Sequence, residues 1–147
     1  MKNELSIFEK TYSMPDIPSL AEELFSKFGK FKIWLFEGEL GAGKTTLIQH
    51  LAKQLKIDEE VNSPTFSLIN EYKSASFGKV YHMDLYRLKT LKEADEIGMI
   101  ELVDSGYFCL IEWASAIGFE SAEPYVLISI KHLHQFNRLL SVRIYEN

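Results

Sequence analysis

Gly38-Glu39-Leu40-Gly41-Ala42-Gly43-Lys44-Thr45, followed by Thr46, is the stretch whose reading decides the fold. It carries the G-x-x-x-x-G-K-[ST] pattern at every fixed position. Three glycines let the backbone take turns closed to other residues and approach a polyphosphate closely. Successive amide N–H groups then form an anion nest, closed by the positive end of a helix starting near Lys44. In such loops the lysine reaches the β- and γ-phosphate oxygens, and the hydroxyl, here that of Thr45, ligates Mg²⁺. The competing reading is a glycine-rich turn that binds nothing.

The flanks weigh against that competitor. Phe31-Lys32-Ile33-Trp34-Leu35-Phe36 is an apolar and aromatic run suited to a buried strand. Beyond the loop, Leu47, Ile48, Leu51, Ala52 and Leu55 recur at helical spacing, with Gln49, His50, Lys53 and Gln54 on the other face. Strand, glycine loop and helix is the order a phosphate loop needs.

Further out, 7–12 alternates imperfectly and predicts a short edge strand. Pro18 and Ser19 open a helix whose apolar stripe is Leu20, Ala21, Leu24, Phe25 and Phe28, and Gly29 ends it. Pro64 makes 62–66 a loop leading into a hairpin, with strands at 66–72 and from 79 to 84. A helical stretch between Leu91 and Val103 breaks near Gly98. A second apolar run follows Gly106, and two strands, 125–130 and 139–145, close the chain. The expected class is α/β, with a central mixed sheet whose parallel core strands (31–36 and 107–111) are flanked by helices and extended by antiparallel strands.

A length of 147 residues predicts one domain, 1–147. Hydrophobic residues make up 46% and charged residues 25%, a globular rather than disordered composition. The net charge of -5 argues against a broad surface for DNA or RNA phosphates. The lone Cys109 reads as a small buried hydrophobe. No signal-peptide segment opens the chain, and no window reaches the roughly 18–20 apolar residues of a membrane span, so the expected location is the cytoplasm.

Ligands of open α/β sheets sit beyond the carboxyl ends of the strands, which points at Gly38, Asp84 and Glu112. A phosphate loop also needs an acid on a neighbouring strand for the Mg²⁺ shell. Glu112, closing Phe108-Cys109-Leu110-Ile111-Glu112, is the first choice, against a plain strand-end acid. Asp84, closing Val80-Tyr81-His82-Met83-Asp84, reads either as a second functional acid or as a turn or helix-capping aspartate. Ser63 and Thr65 lie where phosphate-loop proteins often place a γ-phosphate-sensing segment. His82 reads as a packed strand histidine rather than a catalytic base, and Trp113 as a core or rim aromatic rather than one that stacks or gates at the site.

The loop, together with Ser63-Pro64-Thr65-Phe66, Asn70-Glu71-Tyr72, His82-Met83-Asp84-Leu85-Tyr86-Arg87-Leu88, Glu96-Ile97-Gly98 and Ile111-Glu112-Trp113, resembles the TsaE (YjeE-type) family of bacterial P-loop ATPases. The resemblance spans roughly residues 15 to 145. It implies a P-loop NTPase fold and Mg²⁺-dependent ATP hydrolysis, slow alone and stimulated by partners. That hydrolysis serves threonylcarbamoyladenosine modification of tRNA at position 37, next to the anticodon. The partners implied are TsaB and TsaD, with tRNA met only through the complex, and the chain is not itself the transferase. It further implies a phosphate cradle of Gly41, Ala42, Gly43, Lys44, Thr45 and Thr46, and Mg²⁺ ligands Thr45 and Glu112. Lys44, Asp84 and Glu112 become the catalytic set, Thr65 part of a switch segment, and Arg138 a late arginine near the nucleotide. Ala114 departs from the family, many members of which have proline there.

Three other classes compete. A small-molecule kinase usually needs a lid and several clamping arginines, whereas this chain has only Arg87, Arg138 and Arg143. A GTPase would carry an Asn-Lys-x-Asp segment, which is absent from the sequence. A nucleotide sensor without hydrolysis shares the same cradle, and sensitivity of hydrolysis to Asp84 and Glu112 substitution separates the two.

Overall fold

A strand apolar on both faces has to be covered on both faces, and the run ahead of the glycine loop organises the fold for that reason. The computed structural model describes residues 3–64 and 67–146. In chain order its elements are β1 (Asn3–Tyr12), a 3-10 turn (Met14–Asp16), α1 (Ile17–Phe28), β2 (Ile33–Glu37), α2 (Lys44–Gln54), β3 (Ile69–Ser74), β4 (Gly78–Asp84), α3 (Leu91–Glu96), α4 (Met99–Val103), β5 (Phe108–Glu112), a second 3-10 turn (Ser115–Ile117), β6 (Tyr125–His134) and β7 (Asn137–Glu146). The described strands form one sheet in the order β1-β7-β6-β2-β5-β4-β3.

The expected parallel pair is present as β2 and β5. Two further strands join it on the inside: β6 runs parallel to β2, and β4 runs parallel to β5. Each of these has an antiparallel neighbour on its outer side, β7 and β3 respectively. A hairpin reading of the sequence sees only the outer pairing, because the inner one joins residues distant in the chain. β6 and β7 also outrun the expected 125–130 and 139–145, continuing their ladder through exposed Lys131, His132 and His134 past the end of the core.

Alternation along each strand sorts the side chains into two cores. On one face α1 and α2 cover Trp34, Phe36, Val80, Phe108, Leu110, Val126 and Ile128. The helix stripes bury Leu20, Ala21, Leu24 and Phe28, then Leu47, Ile48, Leu51 and Ala52, as their spacing predicts, except that Phe25 is only half-buried at the edge of its stripe and Ile17 joins it. Each large side chain so buried contributes about 1.5–3 kcal/mol. On the other face α3 and α4 cover Ile33, Leu35, Tyr81, Met83, Cys109 and Ile111. Burial pushes the Cys109 thiol up to about 12, so it packs and does not react.

The same alternation sets the site. With Phe108 and Leu110 toward α2, Glu112 turns that way too, and with Val80 toward α2, so do His82 and Asp84. Asp84 and Glu112 are register partners at the ends of adjacent parallel strands.

Candidate functional site

The turn out of β2 closes on itself, with the Ala42 amide donating to Glu39 O at 3.0 Å. Gly38, Gly41 and Gly43 hold φ of 151°, 79° and 101°, all in the region glycine favours. At Gly41 a Cβ would meet nothing within 4 Å, so backbone conformation alone asks for glycine. At Gly38 space asks for it as well: a Cβ would lie 2.8 Å from Ile130 O on β6. Gly38→Ala is therefore expected to destabilise the fold by about 1–3 kcal/mol. In a chain of this size that lowers a thermal-melt midpoint by about 2–4 °C per kcal/mol.

Gly43 caps α2 in the left-handed conformation, leaving the amides of the first helical turn without intrahelical acceptors. Lys44 begins that turn and is 5% exposed. Its Nζ donates to Gly38 O and, at 3.2 Å, to Glu39 O, and sits 4.0 Å from the centroid of the Trp113 ring. Burial pulls its pKa below the ordinary lysine range, opposed by the carboxylates of Glu112 and Asp84. Two of the three ammonium hydrogens are engaged, which leaves one for an anion. Trp113 itself takes φ of 67°, uncommon for a bulky residue, and packs against Tyr86 with ring centroids 5.0 Å apart.

One residue on, the Thr45 hydroxyl donates to Glu112 Oε1 at 3.2 Å. Glu112 is 2% exposed, and its Oε2 lies 2.8 Å from His82 Nε2. Asp84 is fixed from two sides: Ser63 Oγ donates to Oδ2 at 3.1 Å and the Tyr86 amide donates to Oδ1 at 3.1 Å. The opposite wall comes from the chain ends. Arg138, first on β7 after Asn137, lies along Gly43, its Nε 3.7 Å from where a Cβ would stand. That Nε is buried and has no hydrogen-bond partner. Its guanidinium faces Tyr12, opposing the upward shift that burial gives the phenol.

These groups surround a cleft of about 420 Å³, lined by Gly41 to Thr46, Ser63, Asp84, Glu112 and Arg138, with Tyr12, Met14, Ile17 and Leu40 along its apolar side. The donor set suits an anion: loop amides, an ammonium with a spare hydrogen, and an orphaned guanidinium nitrogen. Beside it, a hydroxyl and a carboxylate suit a hard divalent cation.

The family model described as Threonylcarbamoyl adenosine biosynthesis protein TsaE matches residues 11–140. The chain belongs to the TsaE family. A TsaE protein of Treponema pallidum is 40% identical over 108 residues, covering 74% of this chain and 78% of that one. A TsaE protein of Rickettsia felis is 37% identical over 125 residues, covering 84% and 71%. Among solved structures, Bacillus subtilis YdiB aligns with a TM-score of 0.69 at 29% identity, covering 97% of this chain and 86% of that chain.

Of the residues that the TsaE resemblance implied, Gly41 to Thr46, Asp84, Glu112 and Arg138 all line one cleft. Thr65 lies outside the described residues. Ala114, the position where the chain departs from the resemblance, has φ of -67°, a value proline can also adopt. Sequence reasoning missed the apolar wall of Tyr12, Met14 and Ile17, for which no motif exists. It placed His82 in a strand, yet carried no signal that its ring meets Glu112.

Proposed function

We propose that the chain is a Mg²⁺-dependent ATPase that supports threonylcarbamoyladenosine modification of tRNA together with TsaB and TsaD. The observation that carries the reading is the Thr45–Glu112 pair at the lip of a glycine cradle, with Lys44 beside it. The amides of Gly41 to Thr46 and the free hydrogen of Lys44 bind and orient the β- and γ-phosphates. Arg138 offers its unpartnered Nε to the same phosphates from the opposite wall. Thr45 and Glu112 would hold Mg²⁺, which when bound neutralises charge developing on the phosphoryl oxygens. Asp84, held by Ser63 and the Tyr86 amide, presents its carboxylate to the cleft and can orient an attacking water.

Asp84→Asn keeps the shape and hydrogen-bonding reach of that group while removing its basicity. It is expected to lower phosphate release about 10²-fold or more while ATP binding stays within a few-fold of wild type. Parallel loss of binding and turnover would instead make Asp84 a structural cap.

The acidic chain supports a partner role better than direct, extended tRNA contact. No helix among the described residues is long and apolar enough to cross a membrane. The reading puts the chain in the cytoplasm with its partners. Phosphate release from ATP, measured with the chain alone and with TsaB and TsaD added, tests the whole proposal. Low activity alone that rises with both partners supports it. Equal activity under both conditions favours an independent ATPase, and tight binding without hydrolysis favours a sensor.

A further inference from the structure

His82 is the most deeply buried titratable side chain at the site, 0% exposed, yet it does not line the cleft. It stands one step below Asp84 on β4, on the α2 side of the sheet, with Leu110 and Asn70 as its register neighbours on β5 and β3. Its Nε2 lies 2.8 Å from Glu112 Oε2, the two side chains being 1% and 3% exposed. Its Nδ1 is buried with no hydrogen-bond partner. The ring therefore makes one polar contact among the described residues, and that contact is to the carboxylate read here as a metal ligand.

A buried carboxylate rotates about its terminal torsion unless both oxygens are tied, and one left untied is costly to bury. Glu112 has two ties of different kinds. Oε2 faces the imidazole from within the sheet, while Oε1 faces the Thr45 hydroxyl at the open side, 3.2 Å away. Thr45 Oγ1 also lies 3.5 Å from Oε2, so the hydroxyl alone selects weakly between the oxygens. The imidazole is what distinguishes them. We propose that His82 is a positioning residue for the divalent cation: by holding Glu112 Oε2 inside the sheet it presents Oε1, beside Thr45, as the metal-binding oxygen. This deepens the ATPase reading and rests on it. Partners of metal ligands set ligand orientation and basicity, and losing one typically costs 10–100-fold in metal affinity.

The test is Mn²⁺ binding followed by electron paramagnetic resonance, with the protein saturated in ADP. ADP binding is measured separately in excess chelator, and each variant is checked by thermal melting. His82→Ala is expected to raise the Mn²⁺ dissociation constant about tenfold or more while metal-free ADP affinity stays within about twofold. His82→Gln, whose amide nitrogen has the reach of Nε2, is expected to restore most of the Mn²⁺ affinity. His82→Asn, whose nitrogen has only the reach of Nδ1, is expected not to, and this pair decides the matter if the alanine variant does not fold. Mn²⁺ affinity within twofold of wild type in His82→Asn or His82→Ala overturns the proposal. So does a glutamine variant as impaired as the asparagine one, or an equal loss of metal-free ADP binding, which marks a purely structural histidine. Wild-type protein that binds neither ADP nor Mn²⁺ would instead remove the nucleotide-binding reading, and this inference with it.

Discussion

Lys44→Ala is expected to reduce phosphate release from ATP by at least about a hundredfold, with ATP binding weakened in parallel. The magnitude follows from removing one preorganised, 5%-exposed charge, a loss of about 3–4 kcal/mol. Lys44 is well placed for such an effect. Its ammonium is held over the Trp113 ring and against two carbonyls of the loop it serves, so little reorganisation is needed when a phosphate arrives. The pH dependence has a definite sign. Burial sets the Lys44 pKa below the ordinary lysine range, so the charged form is lost at a lower pH than for an exposed lysine. ATP affinity in wild type should decline as pH rises through that lowered value, and the alanine variant should lack this limb. Calorimetric titration of ATP across alkaline pH, beside a phosphate-release assay, reads both effects. Wild-type activity in the variant would sink the loop as the phosphate cradle.

Glu112→Gln is expected to be comparably damaging to catalysis and gentle on the fold. The substitution keeps shape and one carbonyl oxygen but removes the charge that a divalent cation needs. At fixed, moderate Mg²⁺ the rate should fall about 10²–10³-fold, and the Mg²⁺ concentration for half-maximal rate should rise correspondingly. Stability should move little, because the glutamine carbonyl can still meet His82 and its amide the Thr45 hydroxyl oxygen, so the buried polar contacts are kept while a buried charge is removed. Mg²⁺ titration of activity, with a thermal melt of each protein, separates the two consequences. An unchanged Mg²⁺ requirement would remove Glu112 from the metal site.

What could be read from the sequence was what the chain encodes locally. The glycine loop sits within eight residues of Gly38, and its strand and helix flanks are periodic, so β2, α2 and the cradle were legible together. Glu112 and Asp84 were legible as acids ending apolar runs, because a strand's carboxyl end is where ligands gather. The inner pairings of β4 and β6 were not, since parallel neighbours are joined by long crossovers and leave no trace in either strand's own pattern. His82 illustrates the same gap at the scale of one side chain. Its contact with Glu112 spans 30 residues and exists only because β4 and β5 share a register. The wall of Tyr12, Met14 and Ile17 was invisible for another reason: apolar cleft linings have the composition of a core.

The position of β1 at the far edge has a consequence for the order of events during synthesis. Its sheet partner is β7, with Asn3 opposite Glu146 and Tyr12 opposite Arg138, so β1 is made well before the strand it pairs with. Pairing across nearly the whole chain is entropically slow, and it comes after the glycine loop and its helix already exist. The glycine-loop half of the cleft is thus available early, while the Tyr12–Arg138 half arrives only once β7 is made. A nascent chain would hold an unfinished cleft until β7 was in place.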